Sequence, residues 1–219
     1  MLVTEILLSR TQAAVAEPVA TAVLSEFPSA DALAGADLHR LRGLLRPLGL
    51  QNKRASMLIA CAQTLCDRFG GEVPRSQTKL AALPYVGPYA VDAVQCFAFR
   101  KRVPVVDINV ARVYHRVFGL PEPHKRRRHS TGLRDFAAKM LPGRGVALFN
   151  WTLLDLGGVI CTARYPKCEL CPVRRICLAH ADGTCGCRLS QNGVLSVSQV
   201  RTGARPASAR RLSPLAVPH

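Results

Sequence analysis

The sequence is poor in acidic residues and has no long apolar run. Of its 219 residues, 14 are Asp or Glu against 30 Lys or Arg, a formal charge of +16. No stretch of about 18 uncharged apolar residues occurs, so a membrane-spanning helix is not expected. The opening Met1-Leu-Val-Thr-Glu5 has no basic stretch ahead of its apolar residues and makes a poor secretory signal. What is present excludes a disordered chain, because 48% of the residues are apolar, enough for one or two packed domains. The excess of positive charge favours a polyanionic partner, nucleic acid above all, over a merely solvated basic surface.

Nine cysteines are present. Cys61, Cys66 and Cys96 lie singly in apolar, helix-like segments and read as small buried hydrophobes. Four more form a compact run, Cys161-x6-Cys168-x2-Cys171-x5-Cys177, and Cys185 and Cys187 follow in a polar stretch. An odd total and the lack of an export signal argue against a disulfide framework. Four thiolates within 17 residues suit a metal centre. Both structural zinc and a [4Fe–4S] cluster accept four cysteines. Structural zinc usually takes two C-x2-C knuckles; one such pair with outer spacings of six and five favours the cluster. Arg164, Lys167, Arg174 and Arg175 interleave the ligands, where they offset thiolate charge, face a phosphate backbone or are simply solvated.

Apolar residues recur at helical spacing in 12–26, 31–45, 54–68 and 88–99, and no strand alternation is sustained, so the class is all-α. Turn signals separate the helices at Pro28-Ser29, Gly49, Gly70-Gly71 with Pro74, and Pro84 to Pro88, with Ser29 and Ser76 as N-caps. Leu141-Pro-Gly-Arg-Gly145 reads as an ordinary helix-entry loop. The run His124-Lys-Arg-Arg-Arg-His129 reads as a solvated loop that can also reach a polyanion. From Gly183 the composition shifts to a tail with five arginines and no acid, expected to be disordered. That leaves +11 on residues 1–182.

Leu83-Pro84-Tyr85-Val86-Gly87-Pro88-Tyr89 precedes an apolar helix. A tight turn at a helix N-terminus presents backbone N–H groups and the positive end of the helix dipole, which bind phosphate without reading sequence. Ordinary helix–helix turns look similar. Farther on, Val105-Val-Asp107-Ile-Asn-Val-Ala-Arg-Val113 opens a new helical pattern at Asp107. That aspartate reads either as an N-cap or as a catalytic carboxylate at the mouth of a cleft.

Taken together, Leu-Pro-x-Val-Gly-x-Tyr, Val-Asp-x-Asn-Val-x-Arg-Val and C-x6-C-x2-C-x5-C resemble the iron–sulfur branch of the helix-hairpin-helix (HhH-GPD) DNA glycosylases. That branch includes endonuclease III, the adenine glycosylase MutY and the thymine-mismatch glycosylase Mig. The similarity runs from about residue 4 to 180, and takes in Glu5 to Gln12, Gly49 to Ala55, Gly70 to Pro74 and Phe149 to Cys161.

The resemblance implies a six-helix barrel over 1–101 containing the hairpin (83–99), a catalytic-Asp and cluster domain over 102–182, and a basic tail over 183–219. It implies a base-excision-repair N-glycosylase, with no membrane association, that acts as a monomer on duplex DNA holding a mismatch, in the cytoplasm at the nucleoid. Asp107 would stabilise charge at C1′ and handle water. Cys161, Cys168, Cys171 and Cys177 would hold a [4Fe–4S] cluster. Pro84, Tyr85, Val86, Gly87 and Pro88 would grip the phosphate beside the lesion, and hairpin carbonyls would hold a monovalent cation. Bifunctional relatives carry Lys where this chain has Tyr89, so no Schiff base and no β-lyase step are expected; otherwise Tyr89 reads as a helix aromatic. Glu5 would line the base pocket, where in the adenine glycosylases it would protonate the departing purine, and Arg10 would wedge into the stack. Without the resemblance they read as an exposed helix residue and a surface cation.

Arg10, the Gly49–Ala55 stretch and Tyr89 resemble Mig, implying thymine or uracil opposite guanine; Asp155 to Thr162 is similar to MutY, implying adenine. A non-catalytic iron–sulfur DNA-binding paralogue and a zinc-stabilised basic module are the alternatives to an enzyme. Two departures stand out. Met1 opens inside the first barrel helix, so the family's N-terminal helix is expected to be missing. Tyr85 replaces the usual first glycine of the hairpin, which predicts strain if that position needs φ > 0.

Overall fold

The computed structural model describes residues 1–8, 11, 13–120 and 131–186, and no strand occurs among them. Arg10, the 124–129 run and residues 187–219 lie outside the described residues. Seven helices come first: α1 (Leu2–Leu8), α2 (Ala13–Glu26), α3 (Ala30–Ala34), α4 (Leu38–Leu45), α5 (Gln51–Phe69), α6 (Gln77–Ala81) and α7 (Pro88–Ala93), the last continuing into a π turn over Val94–Ala98. Their apolar stripes close on one core in which Leu7, Val23, Leu41, Leu45, Leu58 and Leu80 are fully enclosed. Ser29 and Ser76 cap α3 and α6 by accepting from the Ala32 and Lys79 amides. The helix expected over 31–45 is two helices. Gly35 ends α3, and the Asp37 carboxylate restarts the chain as α4 by accepting from Arg40 N at 2.8 Å. Both pieces keep their apolar residues on the core, so periodicity alone reads through the break.

The second half builds on α8 (Ile108–Phe118), α9 (Thr131–Lys139) and α10 (Val146–Asp155), which runs into a π turn over Leu156–Ile160; a short α11 (Leu178–Ala181) follows. Tyr114, Phe118 and Phe136 pack α8 on α9, with Tyr114 edge-on to Phe136 at 5.4 Å. The stretch leading to α8 is pinned from α10. The buried Asn150 amide accepts from Val105 N at 3.0 Å and donates to Val103 O at 3.0 Å and Val146 O at 3.1 Å. Arg134 of α9 forms a bidentate ion pair with Asp92, which is buried on α7. Together these contacts fix the start of α8 against the hairpin helix, where the candidate site lies.

Candidate functional site

Asp107 is the N-cap of α8, as its position before the apolar pattern suggests, and its carboxylate is held at both oxygens. Oδ1 accepts from Val110 N and Oδ2 from Asn109 Nδ2, each at 2.7 Å. The chain of contacts continues: Arg112 donates to Asn109 Oδ1 at 3.0 Å, to Gly157 O at 2.7 Å and to Cys161 O at 2.9 Å. The carboxylate is thereby tied to the π turn that ends at the first of the clustered cysteines. Gly157 allows this closeness. A Cβ there would lie 2.8 Å from Asn109 Cβ and 2.9 Å from Asn109 C.

Tyr89, half-buried on α7, feels the charge of two carboxylates. Burial raises its phenol pKa, and the negative charges of Glu5 and Asp107 raise it further. Glu5 itself is 6% exposed, not the exposed helix residue that composition suggests. Burial pushes its carboxyl up to about 7, partly offset by the N-terminal ammonium, and Oε2 has no hydrogen-bond partner among the described residues. An acid held near neutrality is equipped to donate a proton. Its helix is held by Arg54, whose guanidinium donates to Leu7 O at 2.9 Å, Gly49 O at 3.2 Å and Thr11 Oγ1 at 2.7 Å. The structure thus brings Glu5, Tyr89 and Asp107 together from α1, α7 and α8.

In the hairpin, Tyr85, Gly87 and Pro88 are exposed, Pro84 is half-buried, and Val86 turns inward onto the barrel core. Val86 is therefore an anchor of the turn, and only its backbone is available to a ligand. Pro88 occupies the first turn of α7, where a missing N–H leaves nothing unsatisfied. Tyr85 has φ 64, so the turn keeps the left-handed conformation and a bulky residue adopts it. That conformation costs roughly 1–2 kcal/mol outside glycine. Tyr85→Gly, allowing for glycine's extra chain entropy, is expected to stabilise the fold by about 0.5–1 kcal/mol in urea melts.

The four clustered cysteines line one cavity on α8, floored by Val113, Val117 and Leu156. The chain reaches them by tight turns: Lys167 N bonds Ile160 O, Cys171 N bonds Cys168 O, and Cys177 N bonds Arg174 O. Four converging thiols on an apolar floor fit an iron–sulfur cluster in donor chemistry. Arg164, Lys167, Arg174 and Arg175 are exposed. Arg116 of α8 touches a thiol directly: it donates to Cys161 Sγ at 3.4 Å and to Thr162 O at 2.7 Å. Cys168, His180 and Cys185 also bring their ligand atoms within 4.8 Å of one another. Sequence reading missed Arg116, His180 and Cys185. The four-residue step from Arg112 to Arg116 on one helix face was the available signal for the first; nothing local marked the others. Cys61 and Cys96 are buried as expected, while Cys66 is only partly so.

A helical barrel, a hairpin at a helix N-terminus, an aspartate opening the next helix and a cysteine-lined cavity define the helix-hairpin-helix DNA glycosylase class. The chain belongs to the HhH-GPD superfamily of base excision DNA repair proteins, whose pattern it matches over residues 3–135. It is 34% identical over 184 residues to a thymine/uracil-DNA glycosylase of Pyrobaculum aerophilum, covering 82% of this chain and 80% of that one. It is 37% identical over 175 residues to an adenine DNA glycosylase of Mycolicibacterium smegmatis, covering 79% of this chain and 58% of the relative. The solved structure of a thermostable thymine-DNA glycosylase superposes with a TM-score of 0.75 at 32% identity, covering 83% of each chain. No helix among the described residues is long and apolar enough to cross a membrane.

Proposed function

We propose that the chain is a monofunctional mismatch DNA N-glycosylase that removes thymine or uracil opposite guanine from duplex DNA. The observation that carries this reading is the meeting of Glu5, Tyr89 and Asp107 at one site, with no lysine at position 89. Excision at a base inside a duplex requires the nucleotide to be extruded. The exposed hairpin residues grip the backbone beside it, and hairpin carbonyls take a monovalent cation. As the C1′–N bond breaks, positive charge builds on the sugar; the Asp107 carboxylate stabilises it and directs water to C1′. Glu5, protonated near neutral pH, gives its proton to the departing base. Cys161, Cys168, Cys171 and Cys177 hold a [4Fe–4S] cluster, which when bound fastens the 161–177 loop to α8. The adenine relative makes adenine opposite guanine the second candidate substrate.

The test is a single-turnover panel of all mismatches and of uracil, with strand breaks developed by alkali. Thymine or uracil opposite guanine should yield abasic sites, and borohydride should trap no covalent protein–DNA adduct. Intact strands throughout would leave a DNA-binding paralogue; a trapped adduct would defeat the monofunctional assignment.

Glu5 also sets a pH dependence of stability. Its folded pKa of about 7 lies above the ordinary value of 4.5. A raised carboxyl costs nothing below the unfolded pKa, and the cost grows as pH rises from there to the folded pKa. Glu5→Gln should therefore match the wild type near pH 4.5 and exceed it by up to about 3 kcal/mol at pH 8. Parallel loss of stability in both proteins between those pH values would show that Glu5 is not the group responsible.

A further inference from the structure

The cysteine-lined cavity contains one thiol more than a cluster needs. Cys185 lines the same wall, 2% exposed, with His180 beside it. Its Sγ is 4.0 Å from His180 Nδ1, and the ligand atoms of Cys168, His180 and Cys185 all lie within 4.8 Å of one another. The backbone is shaped to hold it there. Gly183 at φ 69 and Gly186 at φ 68 turn the chain back after α11, and Cys185 N donates to Ala179 O at 2.9 Å. Composition places Cys185 in a polar tail, yet residues 183–186 fold onto the cavity.

A [4Fe–4S] cluster takes four thiolates, and Cys161, Cys168, Cys171 and Cys177 already supply four. Resting on that ligand reading, we infer that Cys185 is a reserve ligand for Cys168. When Cys168 releases its iron, or is absent, the Cys185 thiol gives up its proton to solvent and its thiolate binds the same iron. One iron–sulfur bond breaks, one forms, one proton moves and no electron is transferred. Proximity points to Cys168 as the ligand replaced, because its sulfur, the Cys185 sulfur and a His180 ring nitrogen all lie within 4.8 Å of one another.

The experiment measures visible absorbance and iron content of the full chain and its variants. Cys185→Ala should keep its full cluster. Cys168→Ala should keep more than half of its iron, whereas Cys168→Ala/Cys185→Ala should lose at least tenfold. Cys161→Ala, which removes a ligand outside the Cys168–His180–Cys185 group, should lose the cluster outright. A Cys168→Ala protein as empty as the double variant overturns the inference, as does a double variant as full as Cys168→Ala, or an empty Cys185→Ala. If Cys168→Ala does not fold, bleaching by an iron chelator decides. Cys185→Ala should bleach several-fold faster than wild type, and equal rates overturn the inference. A wild-type protein carrying zinc alone defeats the cluster reading, and the exchange with it.

Discussion

Asp107→Asn is expected to lower the single-turnover rate of base removal by about 10³-fold, while the protein stays folded and still binds DNA. The separation of the two effects follows from the double duty of Asp107. As the N-cap of α8 it accepts from Val110 N, and asparagine caps a helix about as well as aspartate. The cap survives, and only the Asn109 Nδ2 contact to Oδ2 is lost, so stability should fall by no more than about 1 kcal/mol. What asparagine cannot supply is negative charge beside a sugar that becomes cationic. Loss of stability comparable to that of an Asp107→Ala variant would assign the residue to capping alone. Full activity in Asp107→Asn would remove it from the chemistry.

Gly157→Ala is expected to have the next largest effect, although Gly157 carries no side chain. The added methyl would lie 2.8 Å from Asn109 Cβ and 3.0 Å from Asn109 O. Backbone does not yield as a flexible side chain does, so α8 and the π turn must move apart. Overpacking of this kind costs about 1–3 kcal/mol. It also displaces Asn109, which holds Asp107 Oδ2, and a misplacement near 1 Å costs about 10²-fold in rate. Gly158→Ala is the control. It is the next residue and nothing lies within 4 Å of its added Cβ, so it should leave rate and stability as they are. Equal behaviour of the two alanines would show that the close approach does not govern the site.

The parts of the site legible in the sequence are those encoded locally. The cysteine spacing fits within 17 residues, and the aspartate before an apolar helix and the proline–glycine turn each within a few. Asn150, Asp92 with Arg134, and Gly157 against Asn109 act across 40 residues or more. Nothing near any of them in the chain announces the partner. Asn109 and Arg112 stand between these cases. Both belong to the Val-Asp-x-Asn-Val-x-Arg-Val pattern, but only the fold shows that they join the carboxylate to Cys161 O and Gly157 O. Glu5 needed the fold for a different reason: it is buried, and a seven-residue helix carries no sign of being covered. Cys185 was hidden by its surroundings, because a serine- and glycine-rich stretch reads as tail even where it turns inward.

The two hydrogen bonds on the Asp107 carboxylate have a consequence for the energetics of the reaction. Val110 N and Asn109 Nδ2 hold one oxygen each, so the group cannot spin or swing when charge appears in front of it. In water, a carboxylate meeting a new cation must first be turned, and its hydration shell rearranged. In the catalytic role proposed for Asp107, that reorientation is completed during folding, before any DNA arrives, so the reorganisation energy of the bond-breaking step would be small at this residue.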